Sequence, residues 1–476
     1  MKFEMIAPEE VERIHTASTD ILAKTGVRFG GKKALNIFAA AGALVDFDQE
    51  RVRIPESLVD QVLHNTTGHF RLWNRSGNQL IDLQDGQVRG HNVGGCVRIF
   101  DFEKNQSRSA AQSDLEQMTM LIDALDNIHV ARPVVYPEEF PSNMWDIYTA
   151  ATILRYTEKP YGVTAYTLDN LAYILEIASV IAGSQENLIA KPFIWGSVCP
   201  DSPLNYSEST ANILVRYAEI GLPVAIAPCP ISGASSPVTL AGTLAQLNAE
   251  FLAGLALVQI IRPGLDSKYT ARPMAMNMRT GNASFGSIET GMMSAALVQL
   301  SKRYKVCSDS YGLGTRSKWL DEQAAYEKAL NGILVALAGA NLVAAAGLLE
   351  DALTSSAEQL VIDNEILGMI FRAVRGIEVT ADTLAVETIM NVGPGGSFLD
   401  NQHTRTYMRK EYFQPRLVNP TEVHADQTLV NRTVLDAARD TASKLLKAHH
   451  PAQLPREAIV EIQRIVDKAT QSLQSA

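Results

Sequence analysis

VCSDSYGLGTRSKWLDEQAAYEKALNGILVALAGANLVAAAGLL, residues 306–349, contains the repeat that decides the fold. Val306–Tyr311 is a short β-type run, Ala325–Ala338 carries apolar residues at helical spacing, and Leu342–Leu349 is β-type again. A strand, a turn and a helix that returns to a second strand make a parallel unit, because parallel neighbours need a long crossover. Outward from this stretch the same alternation recurs at Val88–Gly94, His129–Tyr136, Tyr161–Tyr166, Phe193–Cys199, Val224–Cys229 and Tyr269–Met276. Eight consecutive units predict an α/β protein built on a closed (β/α)8 TIM barrel, with chemistry at the C-terminal ends of the strands.

At 476 residues the chain exceeds a bare barrel of about 250 residues. The additions are expected at both ends: residues 1–86 as a helical extension with a small strand element, 87–375 as the barrel, and 376–476 as a C-terminal cap of loop and helices. Start signals mark the units: Ser113-Asp114 before the first barrel helix, Pro141-Ser142 before the second, Thr167-Leu168-Asp169 at the third, and Pro237 in the first turn of the fifth. The strands read as strongly apolar rather than alternating, as expected when both faces are covered.

A net charge of −10 argues against nucleic acid, whose phosphates need a basic patch. The acidic start, MKFEMIAPEEVERIH, is not a signal peptide, and Leu334–Leu349, broken by Asn341 and glycines, is too short to span a bilayer. A cytoplasmic chain without membrane partners is expected, with a homo-oligomer left open.

Few residues announce chemistry. Gly26–Lys33 nearly matches a phosphate loop, but Lys33 stands where Ser or Thr should reach magnesium, so a turn before a helix is the better reading. Cys96, Cys199, Cys229 and Cys307 fall near strand ends, where thiolates could gather a zinc ion, although no Cys-x-x-Cys pair is present; no metal is expected. His129 begins a strand and reads as structural, while His91 sits at a strand end. Glu138-Glu139 and Glu350-Asp351 follow strands two and eight and read as mouth acids or surface caps. Tyr136, Tyr161, Tyr166, Trp195 and Tyr311 place rings on or just after strands. A mouth rich in rings and poor in bases suits a bulky cation, because ring faces attract quaternary ammonium.

Several segments taken together resemble the trimethylamine methyltransferase family of corrinoid-dependent enzymes: Thr157–Pro160, Ile231–Gly242, Asn248–Glu250, Gly312–Lys318 with Asp321 and Gln323, Gly339–Asn341, Ser356–Val361, and Val392–Gly396 with His403-Thr404. They span most of residues 90–405. The founding members carry pyrrolysine; this chain is written in standard residues and so resembles the non-pyrrolysine branch, which includes glycine betaine methyltransferases.

The resemblance implies a cytoplasmic enzyme of methylamine metabolism, related to methanogenesis. It would move a methyl group from a quaternary amine to Co(I) cobalamin held by a partner corrinoid protein, with no cofactor bound to this chain. A quaternary nitrogen is already cationic and leaves as a neutral amine, so no catalytic residue is assigned. On this reading Tyr136, Tyr166, Trp195 and Tyr311 are the ring candidates, and His91, Asn92 and Asn277 would meet a polar tail such as a carboxylate. Gly393, Gly395 and Gly396, with His403, would form a lid. Arg316 would pair either with a substrate carboxylate or, as favoured here, with Glu138, Glu139 or Asp351. The competing readings are a zinc-dependent corrinoid methyltransferase and a non-catalytic barrel that binds an amine or a corrinoid protein.

Overall fold

A computed structural model describes residues 3–92, 94–417 and 433–474. Its central sheet comprises β1 (Arg89–Asn92), β2 (Ile128–Val130), β3 (Tyr161–Val163), β4 (Ile194–Val198), β5 (Val224–Ile226), β6 (Ser267–Ala271), β7 (Cys307–Tyr311) and β8 (Leu342–Ala346). The crossover helices are α1 (Gln112–Ala124), α2 (Trp145–Tyr156), α3 (Leu168–Ala182) and α4 (Glu208–Ile220). They continue with α5 (Leu240–Ile261), α6 (Ile288–Arg303), α7 (Glu322–Leu337) and α8 (Ala357–Arg375).

Strands β3 to β8 pair in parallel in chain order, β8 pairs with β1, and β1 with β2. The ring closes through one residue: Ala131 bridges Tyr161, its N–H donating to the Pro160 carbonyl (2.8 Å) and its carbonyl accepting from Gly162 N–H (3.0 Å). The eight-unit barrel read from the repeat is therefore present.

Three local expectations are corrected. The run Tyr269–Met276 is not one strand: it bends after Ala271, and Met274–Met276 joins Ile231–Ser232 and Ala283–Ser284 in a separate three-stranded sheet. Pro237 lies before α5 rather than in its first turn, where its carbonyl accepts from Thr243 Oγ1 (2.7 Å). Strands β5 and β8 are apolar throughout as expected, but β1, β6 and β7 carry polar and charged residues. The outward positions of the barrel strands meet the helices: a side chain at Gly90 would strike Leu367 of α8, and one at Gly196 would strike the Tyr217 ring of α4. Their inward positions hold Lys268, Thr270 and Asp309, which hydrogen-bond one another, beside small residues such as Gly162, Ala225, Ala227 and Ala344. Gly162 is the tightest of these, since a Cβ there would lie 2.5 Å from the Trp195 ring and 2.7 Å from the Arg132 chain.

The N-terminal face of the barrel is plugged. Strands Arg71–Trp73 and Leu80–Asp82 form a hairpin, and Phe70, Leu72 and Leu83 pack on Val130, Trp195, Ala225, Cys307 and Leu342. Asp266, just before β6, anchors it by accepting from Arg71 N (3.0 Å), Nε (3.0 Å) and Nη2 (3.1 Å). Phe70 is fully buried against Trp195, with ring centroids 6.4 Å apart. Phe70→Ala is expected to cost about 3–5 kcal/mol, read as a lower denaturation midpoint. The helices Pro8–Asp20, Lys32–Ala40 and Glu56–His64 cover α5. That helix is long and apolar enough to cross a membrane, but 89% of its most apolar window is buried in this core. Gly31 caps Lys32–Ala40 with φ 86°, so the near-match to a phosphate loop is the turn before this helix.

His129 stands in the middle of β2, where its Nδ1 accepts from Gly90 N–H (3.3 Å). Burial first, then Lys159 and Arg89, push its pKa down to about 4. Because the folded value lies below the unfolded one, the unfolded chain binds the extra proton first. Stability is therefore expected to fall as pH drops from about 6.5 to 4, by roughly 3 kcal/mol in total. His129→Gln, measured by denaturation across that range, should flatten the slope.

At the other end of the chain, helix Val434–Ala448 packs on α8 and α1, and helix Arg456–Gln474 packs on α3 and α2. Between α8 and these, helices Val386–Val392 and Gln402–Glu411 bury none of their residues. This arm is tied to the C-terminal turns of α8 by Arg372 pairing with Glu411 (3.1 Å) and by Phe413 against Gly368.

Candidate functional site

The end of each strand supplies one piece of the barrel mouth. At its base, Asp309 of β7 accepts from His91 Nε2 of β1 (2.8 Å), Lys268 Nζ of β6 (2.6 Å) and Thr270 Oγ1 (3.1 Å). All four side chains are buried. Burial pushes the Asp309 carboxyl up, but His91 and Lys268 outweigh it and hold the group well below the usual carboxylate range. Burial pushes the His91 pKa down against the pull of Asp309, and its Nδ1 has no hydrogen-bond partner among the described residues.

Above this base stand two arginines. Arg132, two residues past β2, is bracketed by Asn92 of β1: Asn92 Nδ2 donates to the Arg132 carbonyl (2.8 Å), and Asn92 Oδ1 accepts from Arg132 N–H (3.0 Å). Among the described residues the guanidinium itself donates only to Thr164 Oγ1 (2.8 Å), and its Nε is unsatisfied. Arg272, the residue after β6, donates to Tyr311 OH at 3.4 Å, and its Nε is likewise unsatisfied. Among the described residues no carboxylate pairs with either guanidinium. A cation drawn from water without a paired carboxylate is costly, so half-buried Arg132 and buried Arg272 offer a place for an anion. A planar guanidinium also matches a carboxylate through paired N–H donors. Cys199, one residue past β4, is exposed to this space and lies 3.4 Å from Cys229, which follows β5.

The expected ring cage is only partly here. Trp195 is fully buried on the plug, and the Lys268 ammonium lies 4.7 Å above its ring. Tyr311 stacks on Phe285 (4.6 Å) and carries the Arg272 guanidinium at 4.9 Å. Both rings thus hold cations of the chain itself. Tyr136 and Tyr166 remain at the mouth; Tyr136 stacks on Trp145 (5.0 Å), and its hydroxyl interacts with that of Tyr166.

The other candidates are placed elsewhere. His91 and Asn92 are in the mouth, but they bond to Asp309 and to the Arg132 backbone. Asn277 caps the hairpin turn after Met274–Met276, accepting from Arg279 N–H (3.0 Å). Arg316 pairs with Glu327 of α7 (3.1 Å) and not with Glu138, Glu139 or Asp351, because Glu327 is buried and also accepts from Thr315 Oγ1 (2.6 Å). Gly393, Gly395 and Gly396 are not a lid in this structure. They follow the exposed helix Val386–Val392 on the arm tied to the C-terminal end of α8, the end away from the mouth, and His403 leans on Tyr407 there. The four cysteines do not converge, and among the described residues no group of three or more His, Cys, Asp and Glu is arranged to hold a metal.

The loop after β8 is strained. Glu350, Asp351 and Ala352 are consecutive non-glycine residues with φ of 53°, 50° and 71°, a conformation that costs roughly 1 kcal/mol or more each. It is pinned to the β7 loop, with Glu350 N–H donating to the Ser317 carbonyl (2.7 Å) and Asp351 N–H to that of Thr315 (2.9 Å). Asp351 Oδ1 accepts from Phe285 N–H (2.8 Å), and burial pushes its carboxyl up to about 6.

The sequence profile of the trimethylamine methyltransferase family, MTTB, matches residues 1–474. The chain belongs to the trimethylamine methyltransferase family. The trimethylamine methyltransferase MttB of Desulfitobacterium hafniense is 32% identical over 460 residues, 97% of this chain and 92% of that one. The glycine betaine methyltransferase of Desulfitobacterium hafniense strain Y51 is 29% identical over 418 residues, 87% of each chain. The solved monomethylamine methyltransferase MtmB of Methanosarcina barkeri aligns over 92% of both chains, with a TM-score of 0.47 and 13% identity. Within this family of methyltransferases, the two unpaired arginines are a feature that the sequence reading missed.

Proposed function

We propose that the chain takes a methyl group from a quaternary amine that carries a carboxylate, glycine betaine or a close analogue, and passes it to Co(I) cobalamin on a partner corrinoid protein. The observation that carries this reading is the pair of guanidiniums, half-buried Arg132 and buried Arg272, neither paired with a carboxylate among the described residues. Trimethylamine offers them nothing; a betaine offers a carboxylate. The similarity to a protein named glycine betaine methyltransferase supports the same class.

The partner's reduced cobalt supplies the nucleophile. This chain's part is orientation. Asn92 fixes the Arg132 backbone, the arginines take the carboxylate, and the rings of Tyr136 and Tyr166 lie near for the ammonium. Positive charge leaves nitrogen as the bond breaks. A tight grip on that charge would therefore hold the ground state more than the transition state, and anchoring through the remote carboxylate avoids this.

The test is methylation of free cob(I)alamin, followed by its absorbance, with glycine betaine, choline and trimethylamine as donors. Transfer from the betaine alone is expected. Equal transfer from choline, which has the same ammonium but no carboxylate, would overturn the reading, as would a preference for trimethylamine.

A further inference from the structure

Two thiols in the mouth have no part in holding the carboxylate. Cys199 and Cys229 follow the neighbouring parallel strands β4 and β5, and their sulfurs are 3.4 Å apart against the Ala227 carbonyl (2.7 and 3.2 Å). Cys199 is exposed and Cys229 partly so, whereas Cys96 and Cys307 are fully buried and apart. The two sulfurs need to approach by little more than 1 Å, within the reach of side-chain rotation, to meet the ~2.05 Å of a disulfide.

We propose that Cys199 and Cys229 form a redox-active pair, oxidised by hydroperoxides to a disulfide that joins the ends of β4 and β5 inside the mouth and weakens its hold on a zwitterionic amine. The hydrogen bond from Cys229 holds the Cys199 thiol below its usual range against the push of burial, with Arg272 and Arg132 adding to the effect, while Cys229 is raised. Cys199, the more exposed of the two, is the attacking sulfur. Its thiolate attacks one peroxide oxygen, the O–O bond breaks, and the departing hydroxide leaves as water after taking a proton. The resulting sulfenic acid is attacked by the Cys229 sulfur; the S–S bond forms, the S–O bond breaks, and hydroxide leaves with the Cys229 proton as a second water. Two thiols are oxidised by two electrons in all, and one hydroperoxide is reduced. An external dithiol reverses the step by exchange. The reaction replaces two separate thiols at the ends of β4 and β5 with one short bridge and moves both sulfurs from the Ala227 carbonyl, which changes the shape of the mouth where the amine would seat. This consequence rests on the proposed function; the cross-link itself does not.

The test treats the full-length chain with hydrogen peroxide and maps its peptides without reduction. A disulfide joining the Cys199 and Cys229 peptides is expected, removed by dithiothreitol, with Cys96 and Cys307 alkylated only after unfolding. The Kd for glycine betaine, measured by calorimetry, should rise on oxidation and return on reduction. Cys229→Ser should give no cross-link and leave Cys199 to over-oxidise to the sulfinic acid; Cys199→Ser should lose both responses. Sulfurs that stay reduced, separate sulfinic acids in the wild-type chain, or a bridge elsewhere would overturn the proposal. A bridge that forms without weakening betaine binding would overturn its effect on the mouth. A chain that moves methyl groups from no amine would end the functional reading alone, since the peptide map does not depend on turnover.

Discussion

Arg272→Met is expected to raise the Kd for glycine betaine about 100-fold, while leaving the empty chain close to its original stability. The two effects have one origin. Arg272 is buried with a weak hydrogen bond to Tyr311, an unsatisfied Nε and no carboxylate partner. Removing one partner of a desolvated charge pair costs roughly 2–5 kcal/mol of binding, and about 2.7 kcal/mol is a factor of 100. In the empty chain no carboxylate pairs with this cation among the described residues, so an apolar side chain of similar length is close to neutral there. Arg132→Met should behave alike, with the loss of the Thr164 contact added. Calorimetry with glycine betaine and with choline checks it: the betaine should lose its advantage over choline. An equal drop for both ligands would show that methionine had only disturbed the mouth.

Asp309→Ala carries the largest expected cost in stability. It leaves Lys268 buried without its partner and removes the acceptor of His91 and Thr270, a change of about 3–5 kcal/mol. That is a large share of the roughly 5–15 kcal/mol that holds a typical domain folded. Lys268→Met in the same chain should recover much of the loss, because the orphaned charge goes with it; a denaturant titration of the three variants separates pair from packing. The acid limb gives a second reading. Asp309 is held well below the carboxylate range in the fold, so its contribution is complete above about pH 4 and is lost as pH falls through the folded value. Asp309→Asn should show a shallower loss of stability below pH 4 than the wild-type chain.

The barrel was legible because its signal is repeated eight times and each repeat is long. A strand misplaced by a few residues, as at Tyr269–Met276, does not alter the count. The mouth was less so, because which strand-end residues point inward depends on the pleat. Ser267-Lys-Tyr-Thr-Ala-Arg272 and Cys307-Ser-Asp-Ser-Tyr311 both alternate, and alternation places Lys268, Thr270 and Arg272 with Asp309 and Tyr311 on one face. Treating these runs as uniformly apolar hid that. Trp195 and Tyr311 were sought by type, but nothing in the sequence says that Lys268 and Arg272 already sit on their rings. The places of Arg316 and the Gly393–Gly396 loop were hidden for another reason: the Arg316–Glu327 pair, and the seating of Glu411 and Phe413 on the C-terminal turns of α8, are set by tertiary packing.

Glycine and alanine at 162, 225, 227 and 344 leave the interior of the ring room for the side chains of Trp195, Arg132 and Lys268. Substitution at such positions runs mostly one way, since nearly every replacement is bulkier. Random change at these positions therefore tends to crowd the charged side chains. A lineage that keeps those cations inside the ring must keep its smallest residues beside them.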